Sequence, residues 1–204
     1  CVKNNVTYSE APQYLTKRYI DMNRIMAELH QDHIHLSRLL NMLDRHVRVL
    51  VNDGDPDLYM MIDIVEYIRS YSDLFHHPKE DKVYEIFKQR TKEGADIVDS
   101  LLDDHQHIPK VTLEFQQLLN SAVNGSLIVN RDDLSKKITH FIDIQRTHLN
   151  TEEQKLFPLI NKTLQKSDWA ELEASIKEKS DPLFGTKVEA SYESLYQTIK
   201  GQDV

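Results

Sequence analysis

Residues 130–161, NRDDLSKKITHFIDIQRTHLNTEEQKLFPLIN, decide how this chain folds. Leu134, Ile138, Phe141, Leu156 and Leu159 recur at the three- and four-residue spacing of one helix face. Asn130, with Asp133 three residues on, supplies an N-terminal cap. Successive helical residues rotate by about 100°, which puts His148 and Glu152 within about 20° of Phe141, at the centre of the apolar stripe. An imidazole and a carboxylate there are costly to bury unless they are paired or bound to a metal. Their four-residue spacing stacks both on one face.

The same arrangement occurs twice. Shifting the numbering by 72 carries His33 onto His105, His76 onto His148 and Glu80 onto Glu152. Each triplet is a lone His, then 43 residues later a His, with a Glu four positions beyond. The local text repeats too: Asp32-His33-Ile34-His35-Leu36 parallels Asp104-His105-Gln106-His107-Ile108. Imidazole and carboxylate together suit a pair of transition metals, and four helices bearing them can converge on one site. The reading is a di-metal centre inside a helical bundle.

Working outward, helical periodicity spans about 19–51, then from Asp55-Pro56, taken as N-cap and first helical residue, to about 90. A third helix covers 95–123, and the fourth runs from the Asn130 cap to about 161. Short connections make the order up-down-up-down. Two shorter helices follow, one opened by Ser167-Asp168 and reaching about 179, the other by a capping box of Thr186 and Glu189. The expected organisation is an N-terminal arm over 1–20, the bundle over 21–162, and a helical extension over 163–204 packed on it.

Phase also chooses among the ten histidines. His33 flanks Met26, Leu29, Leu36 and Leu40, and His105 shares a stripe with Val98, Leu101, Leu102 and Ile108. On the second helix, the stripe Met61, Ile64, Ile68, Phe75 and Val83 has His76 and Glu80 at its edge and His77 opposite. His77, His30, His35, His46, His107 and His140 are read as surface residues or as neighbours of the ligands. Asp32 and Asp104 are read as solvated, with the alternative that they orient a ligand histidine. Taken singly, a His on an apolar face is more often a satisfied core histidine; only the six together point to metal. Pro78 and Pro109 either aim the ligands through a kink or break the face that carries them.

At 204 residues and 40% hydrophobic, the chain can bury a core, and five Gly and six Pro leave long stretches free of breakers. A net charge of −8 without a dense basic run argues against nucleic acid as partner. No apolar stretch approaches the ~18–20 residues that span a bilayer. Cys1 is the single cysteine, so neither an internal disulfide nor a thiolate cluster forms, which suits a reducing cytoplasm.

The stretches His76-His77-Pro78-Lys79-Glu80-Asp81 and His148-Leu149-Asn150-Thr151-Glu152-Glu153 resemble the two metal motifs of the haemerythrin-like, HHE cation-binding family. The segment Asp181-Pro182-Leu183-Phe184-Gly185 resembles its bacterial members. The resemblance implies an all-α, up-down-up-down four-helix bundle with two non-haem irons, bridged by two glutamates and an oxo or hydroxo group. Carried over by position, His33, His76, His105 and His148 are terminal ligands, and Glu80 and Glu152 bridge. Oxygen-carrying haemerythrins have a His-x-x-x-His pair on the third helix and an aspartate after the last histidine. Here Pro109 follows His105 by four residues, and the fourth helix uses Glu152. That gives four histidines and about two open positions on each octahedral iron. Ferritin-type Glu-x-x-His motifs do not occur.

Four functions follow from this reading. One is a di-iron protein that binds or senses oxygen or nitric oxide. A second is an enzyme using the same centre, peroxide-consuming or ferroxidase-like. A third is non-redox occupancy by zinc or manganese for stability or iron buffering, and the last is an interaction bundle without metal.

Overall fold

The computed structural model describes residues 23–125, 130–177 and 179–201, and among these there is no strand. The arm expected over 1–20 lies outside the described residues. Helix α1 (Arg24–Val51) begins where the Asn23 side chain accepts a hydrogen bond from the Ile25 N–H. It ends at Asn52, beyond which Asp53 takes a left-handed φ of 58° and turns the chain. Helix α2 (Leu58–Tyr67) runs through a π-helical segment (Ile68–His76) into α3 (His77–Arg90). Helix α4 (Ala95–Val123) starts from Gly94 at φ 77°, where an added Cβ would also meet the Leu159 side chain at 2.9 Å. Helix α5 (Arg131–Thr151) continues through a second π segment (Glu152–Leu156) into α6 (Phe157–Thr163).

Three corrections concern helix ends. The second helix is capped by Asp57, which accepts from the Met60 N–H, and not by Asp55. A cap needs extended backbone followed by helical geometry, and that change falls at Leu58. No capping box forms between Thr186 and Glu189. The Glu189 N–H instead donates to the Pro182 carbonyl, which holds that stretch in an irregular turn ahead of a 3₁₀ turn (Ala190–Tyr192) and α8 (Glu193–Gly201). Helix α7 (Lys166–Ser175) is capped by Gln165 with Asp168 as its reciprocal partner, and it stops short of 179.

The long helices alternate in direction. His33 of α1 meets His76 across the turn at 52–57, and His148 of α5 meets Asp104 of α4. Helix α1 packs along α5, and α2 along α4. The core divides into two apolar clusters. One holds Leu36, Leu39, Leu43, Ile64, Ile68, Phe115, Ile138 and Phe141, and the other Ile25, Met26, Leu29, Val83, Phe87, Val98, Leu101 and Ile160. The polar layer of His33, His76, His105 and His148 falls at the boundary between the two clusters along the four long helical runs.

The described residues after 163 are tied to this frame. Leu183, Leu195 and Ile199 are buried in the first cluster and Leu172 in the second. Each such leucine contributes roughly 1.5–3 kcal/mol by leaving water. Asp181 accepts from the Tyr67 hydroxyl and from the backbone N–H groups of Leu183 and Phe184, pinning the turn to α2. The Arg90 guanidinium donates twice to Asp168 Oδ1.

Candidate metal centre

The six residues singled out in the sequence meet at the middle of the bundle. None is more than 6% exposed, and both glutamates are fully buried. His33 Nε2 lies 3.3 Å from Glu80 Oε1 and 3.4 Å from Glu152 Oε2. His76 Nε2 is 3.3 Å from Glu80 Oε1, and His148 Nε2 is 3.2 Å from Glu152 Oε1. His105 Nε2 sits 3.5 Å from Glu80 Oε2 and 3.6 Å from Glu152 Oε1. Two carboxylates therefore stand between two imidazole pairs.

The outward nitrogen of each imidazole is held by a further carboxylate. His33 Nδ1 is 2.8 Å from Glu153 Oε1, and His105 Nδ1 is 2.6 Å from Asp81 Oδ1. His76 Nδ1 is 3.0 Å from Asp32 Oδ2, and His148 Nδ1 is 3.3 Å from Asp104 Oδ2. Such partners fix the tautomer and leave Nε2 as the inward donor. They obey the same repeat, for a shift of 72 carries Asp32 onto Asp104 and Asp81 onto Glu153. Asp32 is buried, not solvated. The sequence reading missed Asp81 and Glu153, although each follows a candidate ligand glutamate and the two coincide under the repeat.

Both motifs lie at π-helical turns. The first π segment ends at His76, just before Pro78, and the second begins at Glu152, shortly before Pro158. A widened turn shifts the donors by one residue and accommodates the amide that proline lacks. Pro78 thus leaves His76 and Glu80 on the inner face, and Pro109 remains inside an unbroken α4.

The widened turn also overturns the expected orientation of His77. An even 100° rotation points it outward, but the extra residue advances the phase and His77 is only 3% exposed. Its ring stacks on His105 with centroids 4.4 Å apart. Phe75, assigned to the apolar stripe, is correspondingly 36% exposed, while Tyr71 and Ser72 are buried. Among the other histidines, His30 Nδ1 shares Glu153 at 2.9 Å, His35 stacks on Phe184, and His107 and His140 are exposed. Tyr84, also missed, donates its hydroxyl hydrogen to Glu152 Oε1 at 2.6 Å and stacks on His105.

The electrostatics are those of acids and bases forced together. Burial alone would pull each imidazole down, but adjacent carboxylates outweigh it. Glu153 and Glu80 lift His33 to about 9, and Glu80 and Asp32 lift His76 to about 10. Asp81 and Glu152 lift His105 to about 9, and Glu152 with Asp104 lifts His148 to about 10. Burial pushes Glu80 and Glu152 up, yet the imidazoles around them hold both below the usual carboxylate range.

The donor set suits a cation. Both oxygens of Glu80, Glu152 Oε2, and the Nε2 atoms of His105 and His148 are buried without a hydrogen-bond partner, which is costly unless something else satisfies them. Two groups of donor atoms, His33 with His76 and Glu80, and His77 with Glu80, His105 and His148, each lie within 4.8 Å of one another. Mixed imidazole and carboxylate donors suit iron, zinc or manganese.

An all-α bundle with buried His and Glu donors at its centre defines a helical metal-binding protein. Among known families, residues 24–160 match the Hemerythrin HHE cation binding domain. The chain belongs to the haemerythrin HHE family. No curated protein matches it. No helix among the described residues is long and apolar enough to cross a membrane.

Proposed function

We propose that this chain holds two iron ions between its bundle helices and uses them to bind or sense a small ligand such as oxygen or nitric oxide. His33, His76, His105 and His148 would be the terminal ligands, with Glu80 and Glu152 between the metals. The observation that carries this is the set of four inward Nε2 atoms around two buried carboxylates, each imidazole braced from behind by an acid. Bound iron would supply reversible electron exchange and open coordination positions for a small molecule. The protein's part is to orient the imidazoles with Nε2 inward and to keep bulk water out with two apolar clusters.

The test is reconstitution with ferrous iron under argon, followed by air. Near-ultraviolet charge-transfer bands of a bridged ferric pair are expected, and a colourless protein would refute the iron assignment. Elemental analysis of protein purified without added metal separates iron from zinc or manganese held for stability or buffering.

A second reading, a peroxide-consuming or ferroxidase-like enzyme, is favoured by Tyr84, whose buried hydroxyl donates to Glu152. Tyr84→Phe is then expected to slow peroxide consumption at least about tenfold with two metals still bound, since one positioned proton donor contributes about 10²–10⁴-fold. An unchanged rate would exclude Tyr84 as the proton donor, and a wild type that consumes no peroxide would leave only the binding function.

A further inference from the structure

We propose that His77 is a fifth nitrogen ligand, so that the two metal positions are unequal. The inference rests on the metal-centre reading above and adds a residue that the haemerythrin-like motifs do not include. His77 is 3% exposed. Its Nδ1 makes no hydrogen bond, the nearest acid being Asp73 Oδ1 at 3.7 Å, and its Nε2 is 3.5 Å from the Ser72 hydroxyl. The four other buried imidazoles each spend one nitrogen on a close carboxylate; His77 does not. Yet a donor atom of His77 lies within 4.8 Å of donors from Glu80, His105 and His148.

The arrangement follows from the backbone. At the end of the π segment two consecutive histidines, His76 and His77, are both buried. His76 faces His33, with Nε2 atoms 3.1 Å apart, while His77 faces His105 and His148, with ring centroids at 4.4 and 5.4 Å. The repeat fails at this point, since a shift of 72 carries His77 onto Leu149. Leucine cannot ligate, so the His33–His76 side has no equivalent donor. One metal position has three nitrogens and the other two. The three-nitrogen position binds more tightly and fills first.

Zinc, which undergoes no oxygen chemistry, is the probe. Titration of the wild-type chain against a chromophoric chelator is expected to show two zinc ions bound in two steps. In His77→Leu the tighter step should weaken at least about tenfold while the weaker one stays, because even outer partners of a ligand are worth about 10–100-fold. Two steps unchanged in His77→Leu would overturn the proposal while leaving the metal centre standing. Failure of the wild type to bind zinc or iron would overturn both. A crystal structure of zinc-loaded wild type settles the point without a variant: a His77 nitrogen roughly 2.0–2.1 Å from one zinc is expected, and His77 beyond about 3 Å from both would refute it.

Discussion

Glu153 braces His33 at 2.8 Å and His30 at 2.9 Å, and Asp81 braces His105 at 2.6 Å. Removing either acid lets an imidazole rotate and lowers its basicity. Glu153→Ala and Asp81→Ala are each expected to weaken metal binding by about 10–100-fold, measured by chelator competition, with helical content preserved. A wild-type affinity in both would mean that the braces are incidental. At this scale the sequence was informative wherever a residue sat on a regular helix. His33, His105, His148 and Glu152 could be placed by phase because α1, α4 and α5 are uniform up to those positions. His77 and Phe75 could not, since phase counting assumes a constant turn and the turn there widens. Asp81 and Glu153 carried a signal in the repeat; Tyr84 carried none, because Leu156 stands at its matching position.

Among the elements, the π segment from Ile68 to His76 matters most. It inserts one residue into a helix that the apolar pattern reads as continuous, and it brings His76 and His77 to the centre together. Leu74 within it is 63% exposed, so its loss removes little packing. Deleting Leu74 should restore an ordinary α-turn and rotate the upstream helix by about 100° against the motif. The expected result is loss of at least one bound metal with the far-ultraviolet helical signal retained; full metal content would show that the wide turn is dispensable. Helix starts and stops were legible where capping chemistry is local, as at Asn130 and at Gly94. They failed at Asp57 and at 186–189, where tertiary contacts such as Glu189 to Pro182 decide the backbone.

For the whole molecule, the polar layer makes stability depend on pH in opposite senses with and without metal. In the metal-free protein, His33, His76, His105 and His148 have folded values of about 9 to 10, above the usual 6.5. Their contribution is complete below about 6.5 and is lost as pH rises through 9–10. Glu153, held at about 2 because His30 and His33 outweigh its burial, contributes above the ordinary carboxylate range and loses that contribution as pH falls through 2. Ligation reverses the histidine sense, because a metal binds only neutral imidazole. Loading at pH 7 should release about four protons, and acidification to pH 5 should lower the melting temperature of the loaded form more than that of the metal-free form. Equal melting shifts in the two forms would contradict this. The existence of one buried layer was readable from the repeat, but its reversal with metal needed the carboxylate distances.

Two of the four braces cross between the two halves of the chain. Glu153, from the second half, steadies His33 of the first, and Asp81, from the first half, steadies His105 of the second. Neither hairpin alone can therefore complete a binding pocket. Peptides 24–93 and 94–201, mixed in equal amounts, are expected to capture metal that each refuses separately, with the ion acting as the clasp that joins the fragments.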